Sequence, residues 1–333
     1  MFSSSTGHTP MALTSCLNKQ LSYSFPTSSG FCREFGANST VLVPLKTDNN
    51  HPWNAISPKE WFSCRDLQPK HRITVNVTAS NQVIAQVEDL SRKAREQRLQ
   101  HLEEQALFVL KEIVNSYQSP AFPCALIAGD VVILDLLSKL DFLKNERVKV
   151  IFIDTFHLFP ETYSFLNLVE KRYGFKAHVF HAAGVKDKNE FKEKYGSDLF
   201  ITDIDEYDRI CKVEPFSRSL DTLKVDAMIN GRRRDHGAER AHLEVVEGDA
   251  RLKVQPLAYW EFRDVWEYLQ KNGIPYHPLH DEGYPSIGDV QSTLPVPKDQ
   301  WFEYGGERSG RFQGLKNKDG SSKTECGIHV SGS

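Results

Sequence analysis

Six cysteines occur in 333 residues, at positions 16, 32, 64, 124, 211 and 326, and no two of them form a CxxC pair. That absence disfavours a zinc ribbon, a dithiol redox motif and a disulfide scaffold, so each thiol is read singly. Long apolar runs are missing too. Unbroken stretches such as ALFVL (106–110) fall far short of the roughly 18 residues that a membrane-spanning helix needs. Positive charge is not in excess either. The chain carries 41 Lys+Arg against 44 Asp+Glu, a formal charge of −3, which argues against gripping a nucleic-acid backbone by bulk charge. Neither nucleic acid nor membrane is an expected partner.

Composition divides what is present. At roughly 150 residues per domain, the length allows about two domains, or one large α/β domain with a tail. Residues 1–80 are crowded with Ser and Thr and contain four acidic residues, none before Glu34. They lack the apolar centre of a secretory signal, and the pattern is that of an organelle transit peptide; a disordered leader without an address is the alternative. Cysteines 16, 32 and 64 fall in this leader, which leaves residues 81–333 as the folded domain.

From residue 82 the pattern becomes periodic. Val83, Val87, Leu90 and Ala94, then Leu99, Leu102, Ala106, Leu110 and Ile113, recur at helical spacing, so 82–117 reads as one or two amphipathic helices packed outside a core. Short apolar runs then alternate with helical patterns: CALIA (124–128) before a helix over 130–140, and VKVIFID (148–154) before a helix over 160–173. Further strands are expected at 177–180, 225–229 and 243–246, and a helix at 262–271. Such alternation predicts an α/β fold with an open, mostly parallel sheet flanked by helices over 118–275. Residues 276–333 hold nine glycines and no long apolar run, and read as a mobile segment that covers the substrate.

Ligands of an open parallel sheet bind beyond the carboxyl ends of its strands. Three segments leave strands there. Ala128-Gly129-Asp130 places a glycine and a helix start where amides meet an anion, although such a turn often exists for geometry alone. DTFHLFPETY offers Asp154, Thr155 and His157, or else a buried helix-entry turn with a capping Thr. GRRRDHGAER (231–240) brings Arg232, Arg233 and Arg240, whose planar guanidinium forks suit phosphate and sulfate oxygens, against the plainer reading of a solvated charged face. Arg308 and Arg311 in GERSGRF (306–312) have the same chemistry. Cys326 stands in TECGIHV with His329 three residues on, in a stretch where no core demands a sulfur, and an incidental free thiol is the plainer reading. A cysteine nucleophile acts as thiolate, which adjacent cations favour.

Together KVEPFSRSL (212–220), the GRRRDHGAER run, GYPSIGDVQST (283–293), GERSGRF and KTECGIH (323–329) resemble the adenylyl-sulfate and phosphoadenylyl-sulfate reductase family, and IDTFHLFPETYSF (153–165) resembles its strand-end turn. The resemblance implies a fold of the adenine-nucleotide alpha-hydrolase type, close to the PP-loop pyrophosphatases. It also implies thiol-driven reduction of a 5′-adenylyl sulfate to sulfite and the nucleotide. Cys326 would attack sulfur and become an S-sulfonate, with His329 tuning the thiol or orienting the tail. Asp130, Asp154, Thr155, Arg232, Arg233, Arg240, Arg308 and Arg311 would hold the substrate. A separate donor, thioredoxin or a similar dithiol protein, would release sulfite, with glutathione the lesser candidate; a homodimer is compatible with this scheme.

Two departures from the family pattern stand out. Iron–sulfur members carry a Cys-Cys pair just before KVxP and a CxxC after SIG, where this chain has Tyr207-Asp208 and Asp289…Ser292, so no cluster and no other metal cofactor is expected. The phosphate loop, rich in hydroxyl residues in relatives, reads Pro123-Cys124-Ala125-Leu126-Ile127-Ala128 here. Cluster-free members typically use the 3′-phosphorylated substrate. An organelle leader, read as plastid, and the hydroxyl-poor loop point instead to adenylyl sulfate, as in the B-type plant reductase without a thioredoxin-like domain. Adenylyl sulfate is therefore the expected substrate and its 3′-phospho form the alternative. A non-catalytic adenine-nucleotide binder has no use for a terminal ECGIH, and an adenylating enzyme of the related fold wants the Ser-Gly loop that is missing.

Overall fold

The structure is a computed structural model that describes residues 77–248 and 251–330; the leader, and with it the transit-peptide reading, lies outside the described residues apart from 77–80. A single helix, α1, runs over Val77–Ser116 and so begins inside the segment assigned to the leader. Strand β1 (Pro120–Pro123) and helix α2 (Ala128–Lys139) follow, then β2 (Lys149–Asp154), α3 (Pro160–Tyr173) and β3 (His178–His181). A helical stretch absent from the sequence reading comes next: α4 (Lys188–Tyr195), α5 (Leu199–Thr202), α6 (Ile204–Asp208), a wide π-turn (Arg209–Val213) and α7 (Glu214–Thr222). Strands β4 (Ala227–Ile229), β5 (Val246–Glu247) and β6 (Leu252–Val254) and helix α8 (Phe262–Lys271) complete the core, and a single turn, α9 (Gly327–Val330), carries the end of the tail.

The six strands lie in the order β3-β2-β1-β4-β6-β5, all parallel except the β5–β6 pair. The expected mostly parallel, helix-flanked sheet is therefore observed. Strand periodicity explains the layers. Phe122, Val150, Phe152 and Ile229 point into a core shared with α1, α2, α3 and α8. Their neighbours Ala121, Ile151 and Met228 point to the opposite face, where Phe216 and Leu220 of α7 cover them. Helix α2 is buried along nearly its whole length, which fits its place between α1, α3 and α8. Pro160 opens α3, and Gly174 closes it in the left-handed conformation at φ 69°.

The structure corrects the sequence reading in three places. The first strand ends at Pro123, so CALIA is a loop plus the first residue of α2 rather than a strand. The periodic residues of α1 have two fates: Leu99, Leu102, Ala106 and Leu110 are buried, whereas Val83, Val87 and Leu90 stand exposed. The segment from 276 onward is not a free tail over its whole length, since Ile287, Val296, Trp301, Glu307 and Phe312 are all buried.

Candidate active site

Connections leave β1 toward β2 on one side and β4 follows on the other, so the carboxyl ends of β1, β2 and β4 frame a topological switch point. A cavity of about 230 Å³ opens there. Its floor is apolar, from Ile151, Ile153, Met228 and Phe216, and its walls carry Asp130, Arg232, Arg240, Arg308, Arg311, Glu325 and Cys326. An apolar floor with convergent polar groups is the usual form of a small-ligand site.

One wall is the loop between β1 and α2. Leu126 is fully buried and has φ 65°, a left-handed backbone that a branched side chain normally avoids. The turn directs the Ala125 N–H at Asp130, whose Oδ2 accepts it at 2.7 Å. Asp130 thus occupies donor capacity that the loop would otherwise offer to a phosphate. Burial pushes the pKa of this carboxyl up to about 7, against the lowering effect of the Ala125 hydrogen bond. Gly231 belongs to the same contact: a Cβ there would stand 2.6 Å from Asp130 Oδ1.

The arginines separate by direction. Residue 233 is extended, at φ −134° and ψ 156°, so consecutive side chains of the GRRR run diverge. Arg232 lines the cavity. Arg234 turns outward, donating to the Leu243 carbonyl at 2.7 Å and lying over the Tyr259 ring. Arg233, expected to bind substrate, does not line the cavity: its side chain is 0% exposed, and it pairs with Asp235 at 2.9 Å and with Glu307. Glu307 also holds His236 Nε2 at 2.9 Å. Because Arg240 and the Arg233 N–H both point donors at His236 Nδ1, that nitrogen is the acceptor and Nε2 carries the proton. Burial and then Arg233 lower the His236 pKa to about 4, in keeping with a neutral ring.

Arg240 and Arg308 share one carboxylate, Glu325, at 2.8 and 2.9 Å. Burial, then the nearby Arg308, lowers the Arg240 pKa to about 10, the mark of crowded cations. Arg311 donates to the Ile287 carbonyl at 3.0 Å and weakly to the Ser286 hydroxyl, and a Cβ at Gly288 would collide with its guanidinium, which explains the glycine of SIGD. Cys326 is half-buried and follows Glu325 directly. The side chain of His329 lies outside the described residues.

Asp154 and Thr155, also expected to hold the substrate, do not line the cavity. Asp154 accepts the Phe156 N–H at 2.8 Å and the Tyr163 hydroxyl at 2.7 Å, and so holds a turn in which Phe156 has φ 62°. Thr155 is buried and donates to Asp289 at 2.5 Å. The sequence reading assigned no role to a charge cluster beside the cavity. Lys212, buried, sits between Asp208 at 2.7 Å and Asp289 at 2.8 Å. Burial opposes its charge, but Asp289, Asp208 and Cys326 outweigh it and hold the Lys212 pKa above the usual lysine range. KVEPFSRSL and SIGD were the available signals, because each contributes one partner of that cluster. Cys211 is a fully buried core residue, with its thiol pushed up by burial. Cys124 lines the cavity but is likewise pushed up, by burial and then by Asp130. Among the described residues no group of three or more His, Cys, Asp or Glu side chains is arranged to hold a metal.

A switch-point cavity walled by arginines, with a cysteine of the C-terminal segment in its lining, defines an α/β protein with a site whose chemistry suits an anionic ligand. Comparison with known proteins supplies the family. Residues 119–295 match the phosphoadenosine phosphosulfate reductase domain. A phosphoadenosine phosphosulfate reductase of Emericella nidulans is 41% identical over 70% of this chain and 72% of its own. An adenosine 5′-phosphosulfate reductase of Bacillus cytotoxicus is 34% identical over 67% and 90%. The crystal structure of the phosphoadenylyl-sulfate reductase of Candida auris, a phosphate complex, covers 59% of this chain and 96% of its own at 34% identity, with a TM-score of 0.52. The chain belongs to the phosphoadenosine phosphosulfate reductase family, whose members are oxidoreductases acting on sulfur.

Proposed function

We propose that the protein reduces adenylyl sulfate to sulfite and AMP with Cys326 as nucleophile. The observation that carries this reading is the placement of Cys326 in the wall of the switch-point cavity beside Arg232, Arg240, Arg308 and Arg311. A thiolate and an anionic sulfuryl group repel, and the guanidiniums neutralise both as they meet. The Cys326 sulfur forms a bond to the sulfuryl sulfur, the bond from that sulfur to the phosphate oxygen breaks, and AMP leaves with the electron pair. An external dithiol such as thioredoxin then attacks the S-sulfonate, becomes a disulfide and releases sulfite. Neither Cys124 nor Cys211 suits that second role, since burial keeps both thiols protonated.

Adenylyl sulfate is the preferred substrate in this reading because of charge. Asp130 occupies the Ala125 amide, and Glu325 occupies Arg240 and Arg308. The positive surplus that is left suits a ligand with one phosphate and one sulfate, whereas a 3′-phosphate adds about two more negative charges. The 3′-phospho form is the second reading, favoured by the name of the Emericella nidulans relative. The plastid is the proposed location, on the composition of the leader.

Two measurements test the proposal. Cys326→Ser should abolish sulfite formation while AMP still binds; retained turnover removes Cys326 from the mechanism. A steady-state comparison of the two adenylyl sulfates under one dithiol donor should favour the unphosphorylated one, and the opposite ranking selects the second reading.

A further inference from the structure

Besides the Glu325 pairs with Arg240 and Arg308 and a longer Lys323–Asp205 pair at 3.3 Å, the segment that carries Cys326 meets the body of the protein at one buried carboxylate on both sides of the cysteine. Asp208, the last residue of α6 and 2% exposed, uses a single oxygen, Oδ2, to accept from the Lys323 ammonium at 3.0 Å and from the Gly327 N–H at 3.2 Å. Those two donors stand three residues before Cys326 and one after it. Its other oxygen, Oδ1, pairs with Lys212 at 2.7 Å, and Lys212 pairs in turn with Asp289, which accepts from Thr155. A continuous run of charge-assisted contacts thus joins the tail to the 283–293 loop and to the turn after β2. Packing reinforces it: a Cβ on Gly327 would come within 2.7 Å of Val213 Cγ2, so the backbone beside the nucleophile lies directly against the π-turn.

The arrangement does more than attach the tail. One anchor would leave the segment free to pivot, whereas two anchors that bracket residue 326 fix both its position and its direction. Buried ion pairs are poor stabilisers, because desolvation offsets most of their attraction, and their best-attested use is to set register. The lysine and the amide converge on one oxygen, and a one-residue slip of the tail would lose both contacts together.

We propose that Asp208 is a positioning residue for the reaction: by bracketing Cys326 through Lys323 and Gly327 it sets the register in which the sulfur faces the arginine-lined cavity. The inference rests on Cys326 as the nucleophile. It concerns placement of the thiol rather than substrate affinity, so rate and binding must separate.

The test uses the full chain as Asp208→Asn, Lys323→Met, the double variant and Cys326→Ser. With adenylyl sulfate and no reductant, the rate of S-sulfonate formation at Cys326 is followed by mass spectrometry, and AMP affinity is measured by calorimetry. Each single variant should slow S-sulfonation by about tenfold to a hundredfold, while AMP affinity changes by no more than about twofold to threefold. The double variant should be less slow than the product of the two single effects, because both substitutions remove the same Asp208–Lys323 pair. Lys323→Met alters only the tail, so it keeps the test valid if Asp208→Asn fails to fold. The proposal is overturned if Lys323→Met forms the S-sulfonate within about twofold of the unaltered rate, or if AMP affinity falls in parallel with rate. Turnover by Cys326→Ser would instead overturn the nucleophile assignment and leaves a different signature: sulfite without any S-sulfonate at residue 326.

Discussion

Replacing Asp130 by Asn should change how stability depends on pH, in a direction that the structure fixes. The carboxyl is buried and its pKa is raised to about 7, while an aspartate in an unfolded chain titrates near about 3.9. Between those values the folded protein keeps a proton that the unfolded chain has lost. Stability from this group is therefore complete below about pH 4, declines as pH rises toward 7, and is lost above it. A shift of about three units at about 1.4 kcal/mol each sets an upper bound of about 4 kcal/mol. Asparagine retains an acceptor for the Ala125 N–H and does not ionise. Relative to the unaltered protein, Asp130→Asn should gain about 2–4 kcal/mol between roughly pH 4 and pH 8. Urea unfolding of both proteins at the two pH values, under reducing conditions, measures that gain. If the difference between them is the same at both pH values, the carboxyl titrates normally and the reasoning from its burial fails.

Other expectations follow from the partners of each side chain. Glu307→Gln leaves Arg233 buried with only Asp235 as counter-charge and should cost about 3–5 kcal/mol in denaturant unfolding. Arg308→Ala should lower kcat/KM by about tenfold to a hundredfold in a steady-state assay, with little effect on the unfolding midpoint; Arg233→Ala should act mainly on that midpoint. Leu110→Ala should destabilise by about 2–5 kcal/mol, whereas Leu90→Ala, at an exposed position of the same helix, should change stability by about 0.5 kcal/mol or less.

The helices α3 and α8 were legible to the residue, because Pro160, Gly174 and Gly273 mark the ends of clean periodic patterns. Their signals are local. Strand β6 was not foreseen, since its three residues owe their pairing to β4 and β5 rather than to any run of their own. CALIA looked like a strand for a similar reason: Cys124, Leu126 and Ala128 are buried in alternation as in a strand, but they belong to a loop whose Leu126 takes a left-handed turn and to the start of α2. In the site, Cys326, Arg232, Arg240, Arg308, Arg311 and Asp130 could be named from motifs, and all line one cavity. Lys212, Asp208 and Asp289 could not be grouped, because KVEPFSRSL and SIGD each show one partner but neither shows that residues nearly 80 positions apart meet.

What separates the cavity-lining Arg240 and Arg308 from the buried Arg233 is the ownership of their counter-ions. Arg233 faces two carboxylates, Asp235 and Glu307, both fixed within the body of the protein, so its charge is cancelled where it stands. Arg240 and Arg308 have a single carboxylate between them, and it belongs to the residue before Cys326. Two cations sharing one anion leave the cavity electropositive even with the tail in place, which is the condition for an anionic substrate to enter. The same sharing means that substrate oxygens and Glu325 draw on the same guanidiniums. In the proposed reaction, binding of the nucleotide and the seating of Cys326 are therefore coupled through two side chains, while Asp208 meets the segment on both sides of Cys326, at Lys323 and Gly327. A run of arginines in a sequence shows none of this, because the distinction lies in which anion each one meets.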